Sequence, residues 1–203
     1  MTTHVLIACS KSKSIEATKA LTWGAKTTVN TWLKKWNDAK KRYPVEVLYT
    51  GRSFRNQVNI SRASPNTETY VISAGSGLIC ISNNVSIPSY EATFRKEMGP
   101  LVSEWHMLPK GGIGNLEMNS GDSVVLFAPN QYHRALLHDP DIETISSQLV
   151  VPSTSPLASI SGTVIDVHSR AKEVLGVAST DLNTEFLRLF FSEGMDGFKK
   201  IEI

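Results

Sequence analysis

Short apolar runs alternate with longer amphipathic or polar stretches along this chain, and the alternation predicts strands separated by helices. Residues 4–8 form an unbroken apolar run that gives way to Cys9-Ser10-Lys11, as a buried parallel strand does before its loop. Residues 15–42 suit helix, with Ala20, Leu21, Trp23, Val29, Trp32, Leu33 and Trp36 as apolar contacts. The pattern breaks over 22–28, which predicts two helices or a helix and a loop, and Pro44 ends the region. Residues 45–49 read as extended, 50–51 as a turn and 52–62 as a short helix.

The next strand spans 69–72 and runs into Ser73-Ala74-Gly75-Ser76-Gly77. A polar loop through Pro88 precedes a helix expected from Tyr90 to about Leu108. Beyond a Gly- and Asn-rich loop at 110–121, residues 123–127 give the clearest buried strand. A helix at 130–137 and a fourth strand at 147–151 follow. Residues 152–162 form a Ser/Pro loop, and 184–191 an amphipathic helix capped by Asp181 or Asn183. This order predicts one α/β domain over 1–203: a doubly wound, mainly parallel four-stranded sheet with flanking helices and a helical insertion at about 18–42. The strands near Val5, Val71, Val125 and Val150 are expected to lie parallel.

Composition adds limits. The 203 residues, 41% hydrophobic, suffice for one sizeable core. Cys9 and Cys80 cannot build a disulfide framework and point to a reducing compartment. The first apolar run is too short for a signal peptide or membrane span, so a cytoplasmic location and no membrane partner are expected. There is no zinc-type cysteine spacing and the five histidines are scattered, so neither metal nor cofactor is expected. The net charge of +2 hides an asymmetry: residues 1–60 hold 11 Lys/Arg against 3 Asp/Glu. Gathered on one face, that excess would attract polyphosphate; spread out, it would only keep a helix solvated.

The loops that follow the strands carry the candidate chemistry, because open parallel sheets bind ligands there. Cys9-Ser10-Lys11-Ser12-Lys13 offers hydroxyls and ammonium groups to a phosphate or a base edge, or forms a solvated turn. Gly75, Ser76 and Gly77 would let backbone approach a flat ligand, although a tight turn uses glycines too. Tyr90 and Glu91 place a ring beside a carboxylate. Such a pair suits glycosidic cleavage, while a glutamate in a first helical turn also favours the helix dipole. Asn130 could be a helix cap and Arg134 a surface ion pair. Cys9 as a nucleophile would need a base such as His4, and a buried, inert Cys9 is the simpler reading.

Six segments in order, C-S-K-S-K, L-Y-T-G-R-S-F-R, S-A-G-S-G-L, P-S-Y-E-A-T, N-Q-Y-H-R and S-P-L-A-S-I-S-G, resemble a family of small bacterial and phage proteins. The resemblance runs from His4 to Gly162, apart from an insertion around 18–42. That family remotely resembles the uracil-DNA glycosylase superfamily and a domain of archaeosine synthase. An anti-phage glycosylase that removes glucosylated hydroxymethylcytosine belongs to the same neighbourhood. The resemblance implies base or nucleotide binding by Cys9, Ser10, Lys11, Lys13, Tyr49, Gly51, Arg52, Gly75, Ser76 and Gly77. It implies the same for Tyr90, Tyr132, Arg134, Ser155 and Pro156, with Tyr90 stacking on the base and Glu91 and Asn130 as catalytic candidates. Glu91 stands where the family has aspartate. Ser155-Pro156-Leu157 matches a backbone-pressing loop whose histidine is absent here, since Val151-Pro152-Ser153 precedes it.

The expected function is hydrolysis of the N-glycosidic bond of a modified base in flipped-out DNA, in antiviral defence. Two alternatives are an N-glycosidase or base-transferring enzyme acting on free nucleosides or nucleotides, and a non-catalytic module that binds modified bases.

Overall fold

The structure is a computed structural model and describes residues 1–18, 21–81, 84–95 and 97–201. In chain order it contains β1 (Thr3–Ala8), α1 (Val29–Asp38), β2 (Tyr43–Pro44), α2 (Val45–Leu48), α3 (Arg52–Ala63), β3 (Thr67–Ser73), β4 (Gly77–Cys80) and β5 (Ser86–Ile87). Then come β6 (Ser123–Leu126), α4 (Asn130–Leu137), β7 (Leu149–Pro152), β8 (Thr163–Ile165), α5 (Ala171–Val174) and α6 (Leu182–Glu193), with several 3₁₀ turns between them. Among the described residues no helix is long and apolar enough to cross a membrane.

The fold is α/β, with a mainly parallel sheet ordered β4-β3-β1-β6-β7-β8 and flanked by helices. The four expected strands are adjacent and parallel, with Ile7 opposite Val71 and Val5 opposite Val125. They are apolar without alternation because both faces of a central parallel strand are covered, and Val71, Val124, Val125 and Leu126 are fully buried. Two further strands widen the sheet: β8 pairs parallel to β7, and β4 folds back antiparallel on β3. β2 and β5 form a separate antiparallel pair.

Three expected elements take another form. Residues 45–49 are not a strand: the Tyr49 N–H bonds Val45 O at 2.9 Å, closing a helical turn. Val45 and Leu48 are buried three residues apart while Val47 is exposed, a helical spacing that a run of five residues does not separate from a strand. Residues 90–108 are not a helix. Glu91 forms a bridge with the chain at Thr22, giving its N–H to Leu21 O at 2.9 Å and accepting the Trp23 N–H at 2.8 Å. Gly99-Pro100 then disfavours helix, and only a 3₁₀ turn at Val102–Met107 remains. Third, residues 73–77 are the turn of the β3–β4 hairpin rather than a strand-to-helix loop.

Within the expected insertion, α1 starts at Thr28, whose side chain caps the Thr31 N–H, and it buries Val29, Trp32 and Trp36. Ala20, another expected contact, lies outside the described residues. The Trp32 indole donates to Gly75 O at 2.7 Å, and the Trp105 indole to Ser73 O at 2.9 Å. These buried donors fix the hairpin turn from two sides, so Trp32 and its neighbours belong to the core.

Candidate active site

From β1 the chain passes to β3 on one side of it and later to β6 on the other. At such a reversal the carboxyl ends of neighbouring strands leave a crevice between their loops. A cleft of about 500 Å³ opens there, bounded by the end of β1, the first turn of α3, the start of α4 and the residues before α6. A second cavity of about 150 Å³ adjoins it. Cys9, Ser10, Lys11, Gln131 and Tyr132 line both, so the two are lobes of one groove. Gly51 and Arg52 belong to the larger lobe, Lys13 and Glu91 to the smaller.

The loop after β1 is pinned rather than free. The Ser10 hydroxyl accepts the Gly51 N–H and donates to Ser12 O, both at 3.0 Å, while the Thr50 N–H bonds Ser12 O at 3.0 Å. Both capacities of Ser10 are thereby used in holding the groove wall. A Cβ on Gly51 would strike the Ser10 oxygen, which explains the glycine at this close approach. The Cys9 sulfur lies 3.6 Å from the Tyr132 hydroxyl at the saddle between the lobes. His4 stands near the other end of β1, between Glu68 and Asp122 at 3.5 and 3.4 Å, so it provides no base for Cys9. Burial, with Cys9 close by, pushes the Tyr132 phenol far above its ordinary range and keeps it protonated.

The expected base pocket of Gly75, Ser76, Gly77 and Tyr90 is instead solid protein. Ser76 is fully buried, and Tyr90 is only 1% exposed. The Tyr90 hydroxyl lies 2.6 Å from both Tyr49 Oη and Ser73 Oγ. Its ring meets Trp32 edge-on at 6.1 Å and Trp36 at 5.7 Å. Gly75 lacks a Cβ because the Tyr90 ring occupies that space, and Gly77 sits at positive φ with the Gly111 carbonyl beside it. Tyr90 therefore cannot stack on a ligand in this arrangement, and Tyr49 is equally sealed. The Lys13 ammonium lies over both rings, 4.7 Å from the Tyr90 centre and 5.9 Å from that of Tyr49. Burial lowers the Lys13 pKa, opposed by the nearby Cys9 and Glu91.

Other expected residues lie elsewhere. Asn130 lines a cavity near His168 and Lys172 that meets the larger lobe at Pro129 and Asn183, and it lines neither lobe itself, so it does not join Glu91. Arg134 is exposed and lines neither lobe. Ser155 is buried: it accepts the Leu157 N–H at 3.0 Å and pairs closely with His133 Nδ1, while Pro156 beside it is half-buried. His133 Nε2 lies 2.8 Å from Ala128 O, so the neutral imidazole donates there and accepts the Ser155 proton. This chain of bonds ties the β6–α4 loop to the β7 loop.

Burial pushes the His133 pKa down to about 4, against about 6.5 in an unfolded chain. The stabilisation from holding it neutral is complete above pH 6.5 and lost as pH falls toward 4, where the unfolded state alone takes up the proton. Urea titrations at pH 7.5 and 4.5 should differ by about 2–3 kcal/mol from this residue. A His133→Gln variant should lack that part of the pH dependence; an unchanged dependence would assign it to other groups.

The sequence reading missed Gln57 and Asp181. Gln57 is 3% exposed on the inner face of α3 with Phe54, Val58 and Ser61, and it lines the larger lobe. The signal was available: it is an amide between Phe54 and Val58 on the buried helical stripe, beside a candidate loop. Asp181 stands at the start of α6 but caps nothing with its side chain; it binds Arg52 at 2.5 Å across the cleft mouth. Among the described residues the smaller lobe holds Lys11, Lys13 and Arg95 against Glu91. No metal-binding cluster of His, Cys, Asp and Glu occurs among the described residues. No family model, curated protein or solved structure matches the chain.

Proposed function

We propose that the protein hydrolyses the N-glycosidic bond of a nucleobase, with DNA carrying a modified base as its substrate. The observation that carries this reading is the two-lobed groove with Glu91 in its smaller, basic lobe. A base in one lobe and its sugar-phosphate in the other would leave the scissile bond at the saddle of Cys9, Lys11 and Tyr132. From the smaller lobe, on the sugar's side of that saddle, the Glu91 carboxylate would orient water or stabilise the oxocarbenium ion as the C1′–N bond breaks. Water's oxygen bonds C1′, Glu91 takes its proton, and the departing nitrogen is protonated from solvent. The ordered segments that resemble a family near the uracil-DNA glycosylases support the same chemistry and a role in antiviral defence. The kinship to that superfamily's four-stranded sheet is part of the proposal. Incubation with hypermodified phage DNA, followed by mass spectrometry of released bases, is the test; no released base from any modified DNA would end it.

A second reading, an N-glycosidase of free nucleosides or nucleotides, draws support from the spread of the basic residues. Arg52 pairs with Asp181 and Arg62 with Glu46, Arg42 binds Trp36 O at 3.1 Å, and Lys40 lines another cavity. Salt separates the two readings. If DNA phosphates are held at Lys11, a Lys11→Gln variant should lose about 0.9 from the slope of log affinity against log salt. Salt-insensitive or undetectable DNA binding favours the free nucleoside.

A further inference from the structure

We infer that the larger lobe is the base-recognition lobe and that Gln57 reads a hydrogen-bond donor on the base, leaving the smaller lobe to the sugar-phosphate. This rests on the N-glycosidase reading and says which half of the substrate goes where. The Gln57 amide nitrogen donates to Phe127 O at 3.1 Å. A flipped amide would set two acceptors against each other, so the orientation is fixed by the Phe127 carbonyl just past β6. The carbonyl oxygen then has no partner among the described residues, yet it is not among the atoms sealed from solvent. Since Gln57 lines the lobe, that oxygen is an acceptor open to the cleft. An amide this deep in a protein is rarely left half-paired, because an unmet acceptor costs about 1–3 kcal/mol.

The lobe's other groups complete the match. The backbone N–H groups of Arg52, Ser53 and Phe54 open α3 toward the cleft, and no side chain caps them. An acceptor on Gln57 beside donors of a helix end complements an edge that carries both a donor and an acceptor, as nucleobases do. A phosphodiester offers only acceptors and would meet the Gln57 oxygen and the Asp181 carboxylate. Phe54, Phe127 and Tyr132 supply apolar ring surface for a flat ligand. The smaller lobe has the opposite character, with three cations to one carboxylate among its described residues. At about 500 Å³ the larger lobe falls within the range of about 300–1,000 Å³ that holds drug-sized ligands, which leaves room for a substituent on the base.

The probes are uracil, 1,3-dimethyluracil, which has no N–H, and dimethyl phosphate, a diester with no O–H, each titrated into ¹⁵N-labelled protein. Uracil should shift the Gln57 side-chain amide resonance, and dimethyluracil and dimethyl phosphate should leave it in place. Gln57→Met, nearly isosteric, should weaken uracil binding by about tenfold, the scale of one hydrogen bond to a buried amide. The wild-type resonance keeps the test valid even if that variant folds poorly. An equal response to dimethyluracil, or a larger one to dimethyl phosphate, would overturn the assignment. If uracil binds as expected and no DNA releases a base, the hydrolytic reading fails and the lobe assignment stands. If bases are released and Gln57→Met alters neither binding nor kcat/KM, the reverse holds.

Discussion

Glu91→Gln should lower base release by about 10²-fold or more, the scale of a positioned acid–base group, and leave the folded protein intact. The exchange keeps the side chain's shape and both backbone bonds of the bridge, the N–H to Leu21 and the carbonyl to Trp23. Glu91 is exposed and begins no helix, so the helix-dipole explanation of a glutamate here has no helix to act on. The melting temperature should therefore stay within about 2 °C, as for other surface exchanges. What the variant loses is the one carboxylate among the described residues of the smaller lobe, beside Lys11 and Lys13. Single-turnover release of base, measured with a thermal melt on the same preparation, reads both quantities. Full turnover in a folded variant would remove Glu91 from the chemistry. Asn130 would not replace it, since it lines neither lobe; the search would move to water held by the Cys9–Lys11 loop and Tyr132.

The strands of the central sheet were legible because parallel strands covered on both faces must be apolar throughout, and Val124, Val125 and Leu126 carry no competing signal. The helices α3, α4 and α6 fall close to their expected bounds for a similar reason: each keeps one apolar stripe. What sequence could not separate were the short pieces. Val45 to Leu48 is too brief for its period to show, and β8 has only three residues, two of them exposed. The site was legible where a loop follows a strand in sequence, as Cys9 to Lys13 follows β1. It was misread where glycines suggested a ligand. Gly75 and Gly77 make room for Tyr90 and for the backbone at Gly111, contacts that depend on packing from distant segments. Gln57 escaped because its meaning lies in what it leaves unpaired, which only the position of Phe127 O reveals.

Tyr90 tests that correction most severely. Had the ring stacked on a base, Tyr90→Ala would cost ligand affinity first, about 1–3 kcal/mol, with little effect on folding. In its observed place the same change should destabilise the fold by about 3–5 kcal/mol, as for a buried aromatic cut to alanine. The cavity would open between Trp32, Trp36 and the Gly75 turn, and the Tyr49 and Ser73 hydroxyls would lose their shared partner. With total stabilities of about 5–15 kcal/mol for native proteins, the melting temperature should fall by more than about 6 °C. Tyr90→Phe isolates the hydroxyl. It keeps the ring against both tryptophans and should cost only about 1–2 kcal/mol, the share of two buried hydrogen bonds. Thermal melts of both variants, with uracil titrated at a temperature where each is folded, give the comparison. Large destabilisation in Tyr90→Ala with near-normal affinity in Tyr90→Phe fits a residue beneath the site. A stable Tyr90→Ala protein that has lost only its ligand would put the ring back in the groove and undo the packing around Gly75.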